Sequence, residues 1–432
     1  MTKIAFIGAG STVFAKNVLG DVLSTPALCK SHIALYDIDA RRLKESEAML
    51  NSINSNCNDG NAVITAYSNR NDALLSANFV VNAIQVGGYR PSTIIDFDIP
   101  KRYGLRQTIG DTLGIGGIFR SLRTIPVMDS MAKDMEEACP DALFINYTNP
   151  MSVLTGYMLR HTGINTVGVC HSVQTCANTI LKDLGMPADG VAYKIAGINH
   201  MSWLLEVKRN GKDLYPEIKR RAAEIKDKHN DMVRHEMMKQ FGYYITESSE
   251  HLAEYLPYFI KTQYPNLIEQ FNIPLDEYPR RCEQQIAGWE KLRDKLVDNP
   301  ELTHKRTNEY ASYIMEAVVT NKPLKIGGNV INNGVIPNLP AEACVEVPCL
   351  VDAMGVTPCY VGKLPEQLAA LNRTNINPQL LTIEAAVTLK KEHIYHAAML
   401  DPHTSAELPI DDIVALCDDL IEAHGGYLPK YV

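Results

Sequence analysis

Lys3-Ile4-Ala5-Phe6-Ile7-Gly8-Ala9-Gly10-Ser11 is the stretch from which the fold follows. A short β-rich apolar run passes directly into a glycine turn; the next stretch, Val13 to Leu23, is helical in pattern, and His32 to Tyr36 has the composition of a second strand. Strand, glycine turn, helix and strand make a βαβ unit. Backbone N–H groups around Gly8, Gly10 and Ser11, together with the positive end of the helix, can then hold a pyrophosphate. Val13 stands where G-x-G-x-x-G would have its third glycine, so helix and strand must pack a little further apart than in the full fingerprint. A tight turn without a ligand stays open on these residues alone. Asp37, 27 residues beyond Gly10, ends the second strand where an acid accepts hydrogen bonds from a ribose; its charge would repel a 2′-phosphate, which favours NAD over NADP. Asp39 follows closely, and either acid is a candidate cap for the helix Ala40 to Leu50. Asp37 is the preferred ribose ligand.

Outward from this unit, strand-like runs recur at Asn78 to Val86, Leu143 to Tyr147 and Thr166 to Val169, separated by helical stretches such as Ser121 to Ala138 and Cys176 to Leu184. The alternation predicts an α/β, Rossmann-type doubly wound parallel sheet of the lactate/malate dehydrogenase kind. From Val191 to Glu206 the chain looks extended and leads away from this unit; beyond it helices dominate, at Ile218 to His229, Met232 to Gln240, Glu309 to Val319 and Pro378 to Met399. The expected division is a dinucleotide-binding domain, 1–195, and a mixed, helix-rich α+β lobe for substrate binding and oligomerisation, 196–432. A chain of 432 residues exceeds the roughly 250–300 at which one core stops growing, which agrees with two lobes.

The net charge is −8 and the basic residues are scattered, which argues against nucleic acid as a partner. No apolar run approaches the roughly 20 residues of a membrane span, and the N-terminus lacks a small-residue cleavage site. Ten scattered cysteines do not resemble a small disulfide framework. A reducing cytoplasm is the expected compartment, and a homo-oligomer, dimer or tetramer, the expected assembly.

Cys170-His171-Ser172-Val173 begins where the strand Thr166 to Val169 ends, at the edge where open α/β sheets bind ligands, and His200 ends another apolar stretch in Gly197-Ile198-Asn199-His200. Two such residues can converge on one cation and leave positions for substrate. Taken by themselves, a buried cysteine and a core histidine are the commoner reading.

The Gly-Ala-Gly-Ser turn, Asn146-Tyr147-Thr148-Asn149-Pro150, Cys170-His171-Ser172-Val173 and Gly197-Ile198-Asn199-His200, in that order, resemble the NAD-dependent glycosidases of glycoside hydrolase family 4. Glu247-Ser248-Ser249-Glu250-His251 and Met399-Leu400-Asp401-Pro402-His403 extend the resemblance over the whole chain. Cys-His-Ser-Val resembles the α-galactosidase, melibiase-type branch. Gln85 stands before Gly87 where phosphosugar-cleaving relatives carry an arginine, which implies an unphosphorylated sugar, although Arg90 nearby suits an acidic group.

The resemblance implies hydrolysis of α-galactosides through NAD-dependent oxidation at C3, removal of the C2 proton, elimination, addition of water and re-reduction. It implies Cys170 and His200 as ligands of a divalent metal, with Mn2+ expected, although thiolate softness alone would not choose that ion. Tyr255 matches the family's base; a phenol needs a nearby cation to act so at neutral pH, and a core tyrosine is the plain alternative. For the leaving-group acid both His171 and Asp111 stay open. Asn149 is expected to bind sugar hydroxyls, and Arg280, with Glu254 and Arg281, to line the pocket from the second lobe. Within the family an α-galacturonidase or α-glucosidase is the rival; outside it, a malate- or lactate-type dehydrogenase or a sugar sensor on the same fold.

Overall fold

The computed structural model describes residues 1–432. Its centre is one sheet. Strands β1 (Lys3–Ile7), β2 (His32–Tyr36), β3 (Val63–Tyr67), β4 (Phe79–Asn82), β5 (Leu143–Asn146) and β6 (Thr166–Val169) pair in parallel in the order β3-β2-β1-β4-β5-β6. This is the doubly wound order expected of a dinucleotide fold, with its reversal between β1 and β4. Side chains of β1 alternate. Ile4 and Phe6 pack with Val18, Leu19 and Val22 of the helix Val13–Leu23, while Ala5 and Ile7 face Ile125, Met128 and Met131 of the helix Gly114–Ala138 on the other side. A strand buried on both faces has to be apolar throughout, as Ile4–Ile7 is.

Beyond β6 the sheet continues without a break but changes sense. Strands β7 (Val191–Ile198), β8 (Met201–Arg209), the two-residue β9 (Lys212–Asp213) and β10 (Tyr244–Ile245), then β11 (Leu324–Ile331), β12 (Cys344–Asp352) and β13 (Gly355–Pro358), all pair antiparallel. β11 lies against β6, and the order runs β6-β11-β12-β7-β8-β10. The extended run near 191–206 is therefore a hairpin, turned at Asn199 and His200. Helical expectations shift in detail. The helix expected to begin at Cys176 begins at His171, and the one expected over Pro378–Met399 is two, Glu366–Thr388 and Lys391–Leu400, parted by Leu389 in the left-handed region. No helix is long and apolar enough to cross a membrane.

Candidate active site

The parallel strands deliver their side chains at the carboxyl ends. Gly8, at φ +91°, opens the first turn, and a Cβ there would lie 2.6 Å from the Ala83 carbonyl, so only glycine fits. Gly10 N–H donates to Asp37 Oδ2 at 2.7 Å. Asp39 is the helix cap, accepting from the N–H groups of Arg41 and Arg42, whereas Asp37 stays at the glycine turn. Ser11 Oγ is buried without a hydrogen-bond partner. A tight glycine cradle with an orphaned hydroxyl beside it fits a bound phosphate.

Strand β5 runs into Tyr147-Thr148-Asn149, shaped by Asn146, whose Oδ1 accepts from Asn82 Nδ2 at 2.9 Å and from Thr148 N–H at 3.0 Å. Strand β6 runs into Cys170, which stands as the extended residue before the helix His171–Asp183, with Sγ 3.2 Å from Ser172 Oγ. These turns meet in one cavity of about 410 Å³, lined among others by Ser11, Asn149, Cys170, His171, His200 and Glu247. The dinucleotide turn and the residues singled out around Cys170 and His200 thus share one space.

His200 occupies the β7–β8 turn at φ +60°, and Glu247, just beyond β10, sits at φ +61°. Non-glycine residues held in this region are uncommon and cluster at functional sites. Ligand atoms of Cys170, His200 and Glu247 all lie within 4.8 Å of one another. His200 Nε2 is 3.4 Å from Glu247 Oε2, and His200 Nδ1 is 3.2 Å from the Tyr255 hydroxyl. His251 packs edge-on against His200, with ring centroids 5.0 Å apart.

Burial disfavours an imidazolium at His200, yet Cys170 and Glu247 outweigh it and lift the pKa to about 10. Burial likewise pushes Glu247 up, but His200 and His251 draw it down to about 2. The negative field of Cys170 and Glu247 that favours a proton on His200 would favour a metal cation in its place, the ligand imidazole giving that proton up. Thiolate, imidazole and carboxylate are three protein ligands with room for others, the pattern of an open catalytic metal site. The donors therefore fit a divalent metal.

Tyr255 is fully buried, and its pKa is raised well above the ordinary value by burial first, then by Glu254, Asp111 and Glu247. It needs a cation at the adjacent cluster before it can give up its proton. Glu254, expected at the pocket wall, instead accepts from the backbone N–H groups of Thr108, Ile109 and Gly110 at 2.8, 3.2 and 2.8 Å. Burial pushes its carboxyl up to about 8 against the pull of those donors. The loop it grips carries Asp111, which accepts from Thr112 Oγ1 at 2.8 Å. His171 is half exposed in the cavity, with Nε2 2.7 Å from Glu309 Oε2; that bond is the main cause of its raised pKa.

Some candidates are not brought here. Arg280 is 53 % exposed and forks onto Glu277, Arg281 pairs with Glu277 and Glu250, and Arg90 lies at the surface beside Glu283; none lines the cavity, and neither do Asp111 or Tyr255, although Tyr255 touches it through its bond to His200. The lining carboxylate and the lining guanidinium, Glu247 and Arg120, went unassigned from sequence. Glu247 follows a strand of only two residues, too short to leave a periodicity, and its signal is the family-like run Glu247-Ser248-Ser249-Glu250-His251, in which no role falls to it from sequence. Arg120 lines the wall next to Asn149, and its signal is a charge within the buried run Ile118-Phe119-Arg120-Ser121-Leu122.

Two family models match the chain: "Family 4 glycosyl hydrolase" over residues 3–186 and "Family 4 glycosyl hydrolase C-terminal domain" over 195–404. An α-galactosidase of Bacillus subtilis (strain 168) is 65 % identical over 432 residues, covering 100 % of both chains. Among solved structures, a Bacillus subtilis putative glucosidase superposes with a TM-score of 0.87 at 26 % identity, covering 97 % of this chain and 99 % of its own. A 6-phospho-α-glucosidase from gut microorganisms, solved in complex with NAD and Mn2+, superposes at 0.83 over 100 % of both chains with 21 % identity.

Proposed function

The chain belongs to glycosyl hydrolase family 4, and from that premise we propose that it hydrolyses α-galactosides of the melibiose or raffinose type with bound NAD and a divalent metal, Mn2+ being the expected ion. The observation that carries this reading is the single cavity in which the Ser11 turn faces Cys170, His200 and Glu247. Full-length identity of 65 % to an α-galactosidase supports the substrate, and a 6-phospho-α-glucosidase of the same fold solved with NAD and Mn2+ supports the cofactors. When bound, NAD supplies a reversible hydride acceptor and the metal a Lewis acid, which together make cleavage beside a C3 ketone an elimination.

The chain's own residues supply the rest. Gly8, Gly10 and Ser11 would cradle the pyrophosphate and Asp37 the ribose; Cys170, His200 and Glu247 would hold the metal. Tyr255, hydrogen-bonded to His200, takes the proton from C2 of the sugar at its phenolic oxygen. His171 or Asp111 protonates the departing glycosidic oxygen, and Asn149 orients ring hydroxyls. We place the division between lobes at 195/196, so that Cys170 and Asp111 come from the first lobe and His200, Glu247 and Tyr255 from the second. A homo-oligomer working in a reducing cytoplasm completes the proposal, since a thiolate ligand requires reducing conditions.

Release of nitrophenol from the α-galactoside, α-glucoside and α-galacturonide, each with and without NAD, Mn2+ and a thiol reductant, tests it. Cleavage that requires all three additions and is fastest on the galactoside is the expected result. Cleavage of the galactoside at full rate without NAD or in chelator overturns it.

A further inference from the structure

Two buried arginines on the helix Gly114–Ala138, Arg120 and Arg123, are treated differently by their surroundings. Arg123 is neutralised: Nη1 and Nη2 donate to the Asp96 carboxylate at 3.0 and 2.6 Å, and Nε to the Val86 carbonyl at 3.1 Å. Arg120 forms no ion pair. Its Nε donates to the Asn149 carbonyl at 3.1 Å, and Nη1 lies 3.5 Å from the Tyr278 hydroxyl, with the guanidinium 5.9 Å from that ring's centre. Nη2 has no protein partner, yet it is not sealed in the interior, because Arg120 lines the same cavity as Asn149, Cys170, His171, His200 and Glu247.

A guanidinium taken out of water without a counter-charge is costly, and proteins keep such a group where a ligand completes its hydrogen bonds. Arg120 stays charged: burial disfavours the guanidinium, but Tyr278, which also bonds it, and then Asp111 and Asp96 through space more than offset that. Asp111 does not touch it. A rigid fork of N–H donors presented to a cavity suits a pair of neighbouring oxygens on a ligand.

We propose that Arg120 is a substrate-binding residue: its free N–H groups donate to hydroxyl oxygens of the sugar ring cleaved from the glycoside, while its bond to the Asn149 carbonyl holds that second sugar-binding residue in place. The sugar is the occupant, not the cofactor, because the contacts that orient Arg120 are Asn149 and Tyr278, whereas the phosphate cradle is built by Gly8, Gly10 and Ser11 at the first turn. This inference rests on the glycosidase reading above.

The test uses the NAD- and Mn2+-loaded enzyme and the variants Arg120→Gln and Arg120→Lys, assayed on nitrophenyl α-galactoside and its monodeoxy analogues; NAD binding is read separately by protein fluorescence without sugar. Loss of a charged hydrogen bond predicts a KM for the galactoside about 10- to 100-fold higher in Arg120→Gln, partly recovered in Arg120→Lys. NAD affinity stays unchanged. At least one deoxy position that costs the wild type roughly tenfold costs Arg120→Gln nothing, the signature of a direct contact that a merely structural arginine would not give. An unchanged KM, deoxy penalties that persist in the variant, or a loss confined to NAD affinity would each overturn the assignment. Should Arg120→Gln not fold, the deoxy series on Arg120→Lys decides in its place. A wild type that cleaves no α-galactoside defeats the glycosidase reading instead; protection of wild type and Arg120→Lys by free galactose against thermal unfolding then still reads the contact, and equal protection overturns it.

Discussion

Protonation of the leaving oxygen has two candidate donors, and their surroundings differ. His171 projects into the cavity beside Cys170, and Glu309, 2.7 Å from Nε2, favours its protonated form. Asp111 sits outside the lining residues, bonded to the Thr112 hydroxyl and carried on a loop gripped from behind by Glu254. An acid is needed only when the departing group is a poor one: a sugar alkoxide must be protonated, and nitrophenolate need not be. His171→Gln is therefore expected to slow cleavage of an α-galactosyl disaccharide about 10²- to 10⁴-fold, as loss of a general acid does, while nitrophenyl α-galactoside is slowed far less. Comparing kcat on the two substrates checks this. If Asp111→Asn shows the selective loss and His171→Gln slows both substrates alike, Asp111 is the donor.

One element, the helix Ser249–Tyr255, joins the two halves of the chemistry through consecutive side chains. Tyr255 reaches His200, and Glu254 takes the N–H groups of three successive residues, Thr108 to Gly110, ahead of Asp111. Above about pH 8, where this carboxyl is ionised, Glu254→Gln leaves one acceptor oxygen where two now serve and turns an amide N–H toward N–H donors. Leaving buried donors unsatisfied costs about 1–3 kcal/mol each, so a loss of roughly 2–4 kcal/mol is expected. Urea unfolding monitored by circular dichroism measures it; an unchanged midpoint would mean that the 108–110 loop is held by other contacts. Residue types alone suggested Glu254 as a pocket wall, because an acid beside a candidate base looks functional whichever way it points. What decides is its direction, set by a loop 145 residues earlier in the chain, and no local pattern carries that.

At the scale of the molecule, the parallel half of the sheet was legible because it is written in local alternation: Lys3–Ile7, the glycine turn, and strands ending at Asn146 and Val169 each carry their own periodicity. The antiparallel half was not, since which strand lies beside β6 depends on β11, more than 150 residues later. The metal roles of Cys170 and His200 and the base role of Tyr255 rested on the resemblance; Glu247 stood in a family-like run without a role, and its place, like that of Arg120, emerged from the packing. A further long-range device joins the regions. Asp21, fully buried on the helix after the glycine turn, accepts from Thr307 N–H at 2.7 Å and Thr307 Oγ1 at 2.6 Å and lies 2.6 Å from His304 Nε2, while Asn56 Nδ2 donates to the carbonyls of Pro300 and Leu302. Thr307 Oγ1 in turn accepts from the N–H of Glu309, the partner of His171, at 3.3 Å. The cofactor helix is thereby tied to the segment that supports the candidate acid. Burial pushes the Asp21 carboxyl up, but bonds from His304 and Thr307 more than offset it and hold the pKa below the ordinary value. An acid depressed in the folded state contributes stability that is complete above its unfolded pKa, near 3.9, and is lost as pH falls through the lower folded value. Asp21→Asn should therefore lower stability by about 3 kcal/mol at pH 7, by analogy with other broken buried charge networks, and by progressively less as pH falls below about 4. Denaturant unfolding of wild type and variant across that range reads the convergence, and a gap that stays constant from pH 7 to the acid limit would show that Asp21 holds the segment by its shape alone.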